Sequence, residues 1–295
     1  MVVISIRILR DSFLHSRWIG GDLPHSPRCD QSVSYVSKNH AHLFSFALES
    51  PVSAVRMVMF DLAGTTVRDE NYVAKCLHRA AVDVGIDVSL EEIGKNIGTN
   101  KRDLYKMLIA RWRGDIASLE QLGTLQVSDA DAALAEEAFH LYERYMLELY
   151  SNDIQEVPGA SDTFRWLHDH DIKVATDTGF HKQINEAIMH RLGWLRDGLV
   201  DVALDVQDIP GERGRPTPYM IFRAMEQLGI TSVHDVVKVG DQPADMMEGT
   251  NAGCRAVIGV LSGPLDAVTL GVHRHTHLLP SVAMLPQLFE SEGWV

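Results

Sequence analysis

Val55-Arg56-Met57-Val58-Met59-Phe60-Asp61-Leu62-Ala63-Gly64-Thr65-Thr66-Val67 passes from an apolar run, broken by one arginine, through a single acid into a turn of small residues. A short run with no polar alternation, closed by Ala63-Gly64-Thr65-Thr66, has the pattern of a parallel strand covered on both faces. Asp61 then stands at the carboxyl end of that strand, where open α/β sheets hold their ligands. An isolated Asp in this setting is commonly just a cap for a loop or helix, so the rest of the chain has to decide.

Working outward, the segment behind Val67 turns helical. Tyr72, Val73, Cys76, Leu77, Ala80, Ala81 and Val84 recur at helical spacing up to Gly85. Ser89 before Glu91-Glu92 opens a short helix expected to reach Gly98, Lys101 to Leu108 begins another, and a long helix is expected from Asp129 to Tyr150. No strand interrupts this block, which reads as an all-helical insertion after the first strand.

Beyond Val157-Pro158-Gly159 the pattern alternates. Strands are expected at Ile172 to Thr176, Leu199 to Leu204, Val236 to Val239 and Ala256 to Val260. Helices are expected up to His170, from His181 to Leu192, from Tyr219 to Leu228 and from Ala244 to Ala252. Such alternation implies a doubly wound parallel sheet, a Rossmann-like α/β core. The division expected is a core of residues 53–69 and 156–295, with a helical cap of residues 70–155. Residues 1–52 carry no sustained period and are expected to lie outside the fold, as an overlong start or a weak organelle-targeting segment.

The 295 residues carry a formal charge of −13, which argues against nonspecific nucleic-acid binding. No apolar run approaches the roughly 18 residues of a membrane span. Cys29, Cys76 and Cys254 are an odd, scattered set without a Cys-x-x-Cys pair, which fits a reducing, cytoplasmic setting better than a disulfide framework. Among His273, His275 and His277, alternation could turn three imidazoles to one side of a strand, although a solvated edge is the ordinary account of such a run.

Asp61-Leu62-Ala63-Gly64-Thr65-Thr66 resembles the first motif of the haloacid-dehalogenase-like hydrolase superfamily, in the form seen in its phosphonatase (phosphonoacetaldehyde hydrolase)-like branch. The resemblance continues through Val174-Ala175-Thr176-Asp177-Thr178-Gly179, Gly214-Arg215-Pro216 and Val239-Gly240-Asp241-Gln242-Pro243-Ala244-Asp245, and so covers the chain from residue 55 onward. It implies that Asp61 is the nucleophile of an aspartyl-phosphate hydrolase. Arg215 would bridge that carboxylate and the phosphoryl group, and Thr65, Thr176 and Asp177 would line the phosphate site. Mg²⁺ would be held by Asp61, the Ala63 carbonyl and Asp241, with Asp245 behind them.

Ile97-Gly98-Thr99-Asn100-Lys101 resembles the segment carrying that branch's Schiff-base lysine, which points to Lys101 over Lys106. The branch's usual His and Tyr are replaced here by Leu104 and Phe180, and His181 or His78 could stand in for them. Ala63 cannot protonate a leaving alkoxide. The expected reaction is therefore cleavage of a small phosphonate aldehyde, with a phosphatase acting on an activated phosphate as the alternative. The resemblance further implies a small phosphorylated or phosphonate substrate as partner, with neither nucleic acid nor membrane, and a homodimer formed through the cap.

Overall fold

The computed structural model describes residues 54–96, 100–115, 127–152 and 154–295. The expected leader and the Ile97-Gly98-Thr99 part of the lysine motif lie outside the described residues. The described residues open with β1 (Met57–Asp61), every residue of which is buried. The helical insertion follows, with α1 (Tyr72–Asp83), α2 (Leu90–Lys95), α3 (Lys101–Arg113) and α4 (Asp129–Asn152) among its described residues. Then come α5 (Ala160–Asp169), β2 (Lys173–Thr178), α6 (Lys182–Leu192), β3 (Val202–Asp205), α7 (Tyr219–Leu228), β4 (Val236–Gly240), α8 (Pro243–Ala252) and β5 (Ala256–Val260). The chain closes with α9 (Ala267–Gly271), β6 (His277–Leu279) and α10 (Leu285–Glu292).

The strands form one parallel sheet in the order β3-β2-β1-β4-β5-β6, with β1 bonded on both sides. The order reverses at β1, between its crossovers to β2 and β4, which makes the carboxyl end of β1 the topological switch point where a ligand crevice opens. Period-two alternation divides the strand between two cores. Val58 and Phe60 join Val174, Phe164 and Phe289 on one face, and Met57 and Met59 join Ala175, Met220 and Ile221 on the other. Phe60 meets Phe164 edge-on at 5.1 Å, and Phe164 meets Trp194 at the same distance. Burying each such ring stabilises the fold by about 1.5–3 kcal/mol.

The helical insertion enters and leaves through paired segments. Val67 bridges to Glu156, Arg68 N–H donates to the Gln155 carbonyl at 2.9 Å, and Val157 N–H donates to that of Thr66 at 2.8 Å. The turn after β1 is tightened by three amides, of Thr65, Thr66 and Val67, that converge on the Leu62 carbonyl. Inside the insertion α4 packs on α1 and α3, and it also rests against α6 of the sheet layer.

Element ends depart from expectation in instructive places. β2 runs through Thr178 rather than stopping at Thr176, β3 begins at Val202 rather than Leu199, and α2 ends at Lys95 rather than Gly98. Of the three histidines that alternation could turn to one strand face, only His277 lies in a strand, β6; His275 Nδ1 meets the His273 carbonyl at 2.7 Å in the preceding turn. No helix among the described residues is long and apolar enough to cross a membrane.

Candidate active site

Asp61 leaves β1 on the same face as Met57 and Met59, the face from which the segment before α7 returns Arg215. The guanidinium Nη1 lies 2.6 Å from Asp61 Oδ1, contacts Asp245 Oδ1 still more closely, and stands 3.7 Å from Asp177 Oδ1. Beneath it Lys238, in the middle of β4 and wholly buried, meets both Asp177 oxygens at 2.6 and 2.5 Å. The same Nζ lies 3.3 Å from Asp245 and 2.8 Å from Glu248. Arg215 at the cavity floor and the fully buried Lys238 beneath it therefore stitch β1, β2, β4 and α8 together. A charge removed from water survives only when paired in this way.

Burial raises the Asp61 carboxyl to about 6, against the pull of Arg215. Asp245 feels the same penalty, yet Arg215 and Lys238 outweigh it and hold that carboxyl below the usual range. Asp241 is different. Burial, reinforced by Asp61 and Asp245, pushes it well above the ordinary carboxylate value. Among the described residues no basic side chain forms an ion pair with it; its bonds come from Gln242 Nε2 at 2.8 Å and Thr65 Oγ1 at 3.4 Å.

Oxygens of Asp61, Asp177 and Asp245 lie within 4.8 Å of one another, a spacing open to a metal ion. The Arg215 guanidinium already occupies that side. The outer side fits a cation better: Thr65 Oγ1 is 3.4 Å from both Asp61 Oδ2 and Asp241 Oδ1, so these two acids sit side by side. Gly64, at φ 88°, and Gly263 keep the space clear, since a Cβ on either would overlap Asp241 Oδ2. Two adjacent carboxylates, one without a cationic partner, are a hard oxygen donor set suited to a divalent ion.

Above this floor lies a cavity of about 320 Å³. Asp61, Ala63, Asp69, Arg215 and Gln242 line it from the core, and Lys101, Arg102 and Phe139 from the insertion. Lys101 is the first residue of α3, and the Asn100 side chain caps that helix by accepting from Arg102 N–H at 3.0 Å and Asp103 N–H at 3.3 Å. Burial lowers the Lys101 ammonium to about 8, Arg215 adding to the fall and Asp61 opposing it. Lys106, the other lysine of α3, pairs with Asp103 instead.

Three expected phosphate-site residues, Thr65, Thr176 and Asp177, do not line the cavity; Thr65 is buried against Asp61 and Asp241. Thr176 pairs in register with Phe60 and is buried, with no partner for its hydroxyl. Asp177 points at Lys238, because β2 continues two residues further than its polarity suggested. The cavity is lined instead by Thr178, which accepts from Phe180 N–H at 3.2 Å and so keeps its own proton to donate. Leu104 is buried in the apolar cluster, and Phe180 lines the cavity while its ring stacks near Tyr150 at 5.6 Å. Of the two candidate histidines only His181 lines the cavity. The sequence does carry a clue to Lys238, a lone charge inside an apolar strand; Thr178 has none beyond its place before Gly179.

The family model described as haloacid dehalogenase-like hydrolase matches residues 55–253. A protein named phosphonoacetaldehyde hydrolase from Lysinibacillus sphaericus is 32% identical over 213 residues, covering 71% of this chain and 76% of that protein. One of the same name from Parabacteroides distasonis is 30% identical over 210 residues, covering 70% and 76%. A solved structure described as a putative phosphoglycolate phosphatase from Lactobacillus delbrueckii shares the fold with a TM-score of 0.62, at 22% identity over 80% of this chain and 98% of that one.

Proposed function

The chain belongs to the haloacid dehalogenase-like hydrolases, and from that premise we propose that it cleaves the carbon–phosphorus bond of phosphonoacetaldehyde, giving acetaldehyde and phosphate. The observation that carries this reading is Lys101, a lysine lowered to about 8, in the same cavity as Asp61. A nucleophilic amine must lose its proton, and burial beside a guanidinium favours that. Relatives bearing the phosphonoacetaldehyde hydrolase name support the same substrate class.

In this reaction the neutral Lys101 amine condenses with the aldehyde, expelling water, and the imine takes up one proton from solvent to become the protonated imine. The Asp61 carboxylate attacks phosphorus, and the electron pair of the breaking C–P bond flows into the imine to leave an enamine. Protonation at carbon and hydrolysis of the resulting imine release acetaldehyde and restore Lys101. Water then attacks the aspartyl phosphate, freeing phosphate and Asp61. Because the departing group is carbon feeding an electron sink, no acid is required at position 63, which suits Ala63.

Arg215 orients the Asp61 carboxylate and offers its remaining guanidinium edge to the phosphoryl oxygens. Thr178 donates to a phosphoryl oxygen, a role the sequence motif had assigned to Thr176. Asp61, Asp241 and the Ala63 carbonyl would hold Mg²⁺, backed by Asp245, and the ion would supply charge neutralisation at the phosphoryl group. The enzyme is expected to work in the cytoplasm.

The test is borohydride reduction in the presence of phosphonoacetaldehyde, read by mass spectrometry. Native protein should be inactivated and carry the adduct on Lys101. Lys101→Arg, whose guanidinium stays protonated, should escape labelling and lose activity on the aldehyde by several orders of magnitude, while hydrolysis of p-nitrophenyl phosphate persists. Native protein that is not labelled, or a Lys101→Arg variant with unimpaired turnover of its best substrate, would replace this reading with a phosphatase for a small activated phosphate.

A further inference from the structure

Next to Lys101, and lining the same cavity, Arg102 ties the helical insertion to the sheet layer. Its Nε lies 3.1 Å from both oxygens of Glu136 on α4, its guanidinium lies 4.1 Å over the Phe139 ring, and its Nη1 reaches Glu212 Oε2 at 3.1 Å. Glu212 belongs to the segment between β3 and α7 that delivers Arg215. His181, just before α6, completes the junction, with Nδ1 2.7 Å from Glu143 Oε1 and Nε2 3.4 Å from Arg102 Nη1.

Two features argue that this junction exists for placement rather than stability. Arg102 and Glu212 are partly exposed, at 28% and 37%, and ion pairs so open to water return little stability. Glu212 also holds φ at 51°, a left-handed conformation unfavourable for a residue with a Cβ. Its backbone cost offsets what the ion pair gains. Strain retained at the rim of a cavity, in a residue aimed across the boundary, points to a positional role.

We propose that Glu212, acting through Arg102, is a positioning residue that fixes the first turn of α3 and so sets the Lys101 amine over Asp61. The inference rests on the imine reading only for the chemical role of Lys101; the mechanical link stands without it. Lys101 and Arg102 are consecutive in one capped turn, so a guanidinium clamped to Glu136 and Glu212 leaves the neighbouring amine little freedom. Misplacement by about an ångström is enough to cost a reaction up to a hundredfold.

Glu212→Gln keeps the length of the side chain and removes its charge; Glu212→Gly removes the side chain and relieves the backbone. In both, the rate of borohydride inactivation with phosphonoacetaldehyde should fall about tenfold or more. Hydrolysis of p-nitrophenyl phosphate, which needs Asp61 and Arg215, should stay within about twofold, and the melting temperature of Glu212→Gly should hold or rise. Equal loss of both activities, or a melting temperature that falls with them, would overturn the proposal and make Glu212 a structural residue.

Amide hydrogen exchange over Leu104 to Leu108 supplies a readout independent of the imine. Faster exchange in Glu212→Gln than in native protein supports the link, and unchanged exchange overturns it. Should native protein escape borohydride, the imine reading fails and the exchange rates alone decide the link.

Discussion

Two threonines on one strand, Thr176 and Thr178, differ only in which side of a buried acid they stand, and their consequences differ widely. Thr176→Val replaces an unpartnered buried hydroxyl with a methyl and should leave activity unchanged and stability equal or better. Thr178→Val removes the cavity donor, and kcat/KM for any phosphoryl substrate should fall about tenfold, the worth of one hydrogen bond. Steady-state assays and thermal melts on the pair distinguish the two positions. Lys101 sets a pH limb. Its folded value of about 8 lies below the ordinary 10.5, so the ammonium dominates at neutral pH and loses its proton as pH climbs toward 8. Below 8, kcat/KM on the aldehyde should rise about tenfold per pH unit and then level; p-nitrophenyl phosphate hydrolysis should lack that limb. Because the folded protein binds this proton more weakly than the unfolded chain, Lys101 also makes stability rise between about 8 and 10.5. Lys238→Met would strip the cation from Asp177, Asp245 and Glu248. Loss of about 3–5 kcal/mol is expected, measured by urea unfolding, because the acids stay buried without it.

At the level of elements, α3 depends on its cap for more than stability. Asn100→Ala should cost about 0.5–2 kcal/mol; more tellingly, fraying of the turn that carries Lys101 should slow borohydride trapping beyond what that loss explains, a difference visible below the unfolding transition. The elements also show what was legible beforehand. Helix α7 and strand β5 fall at Tyr219–Leu228 and Ala256–Val260, as expected, because each is an apolar run closed by glycine, helical breakers or polar turns. Thr176-Asp177-Thr178 reads as a polar exit from β2; only the folded sheet brings Lys238 across to neutralise Asp177. Leu199 and Val200 read as strand by composition, yet their amides bond back to the Trp194 carbonyl, closing a turn before β3 begins. Strand β6, with three residues next to a histidine-rich turn, lacks the length for any period to register. The switch-point acid and Arg215 were legible as motif residues, whereas the Arg102–Glu212 link joins positions 110 residues apart and has no local pattern.

For the molecule as a whole, the order β3-β2-β1-β4-β5-β6 puts Asp61 on one of the two central strands and Lys101 on a helix outside the sheet. The chemistries proposed for them thereby fall to regions of unequal resilience. Strand β1 is bonded on both flanks and covered on both faces, while the insertion reaches the rest through one pair of adjoining chain segments, the packing of α4 on α6 and a partly exposed ion junction. Regions with fewer anchoring contacts open first, at free energies below that of global unfolding. In rising urea, turnover of phosphonoacetaldehyde should therefore vanish before hydrolysis of p-nitrophenyl phosphate, leaving a window in which the protein is a crude esterase-like phosphatase with its aldehyde chemistry already gone. Coincident loss of both activities would mean the helices and the sheet come apart as one cooperative unit. A separated loss would make mild denaturation a means of turning one catalyst into the other, reversibly, with no change of sequence.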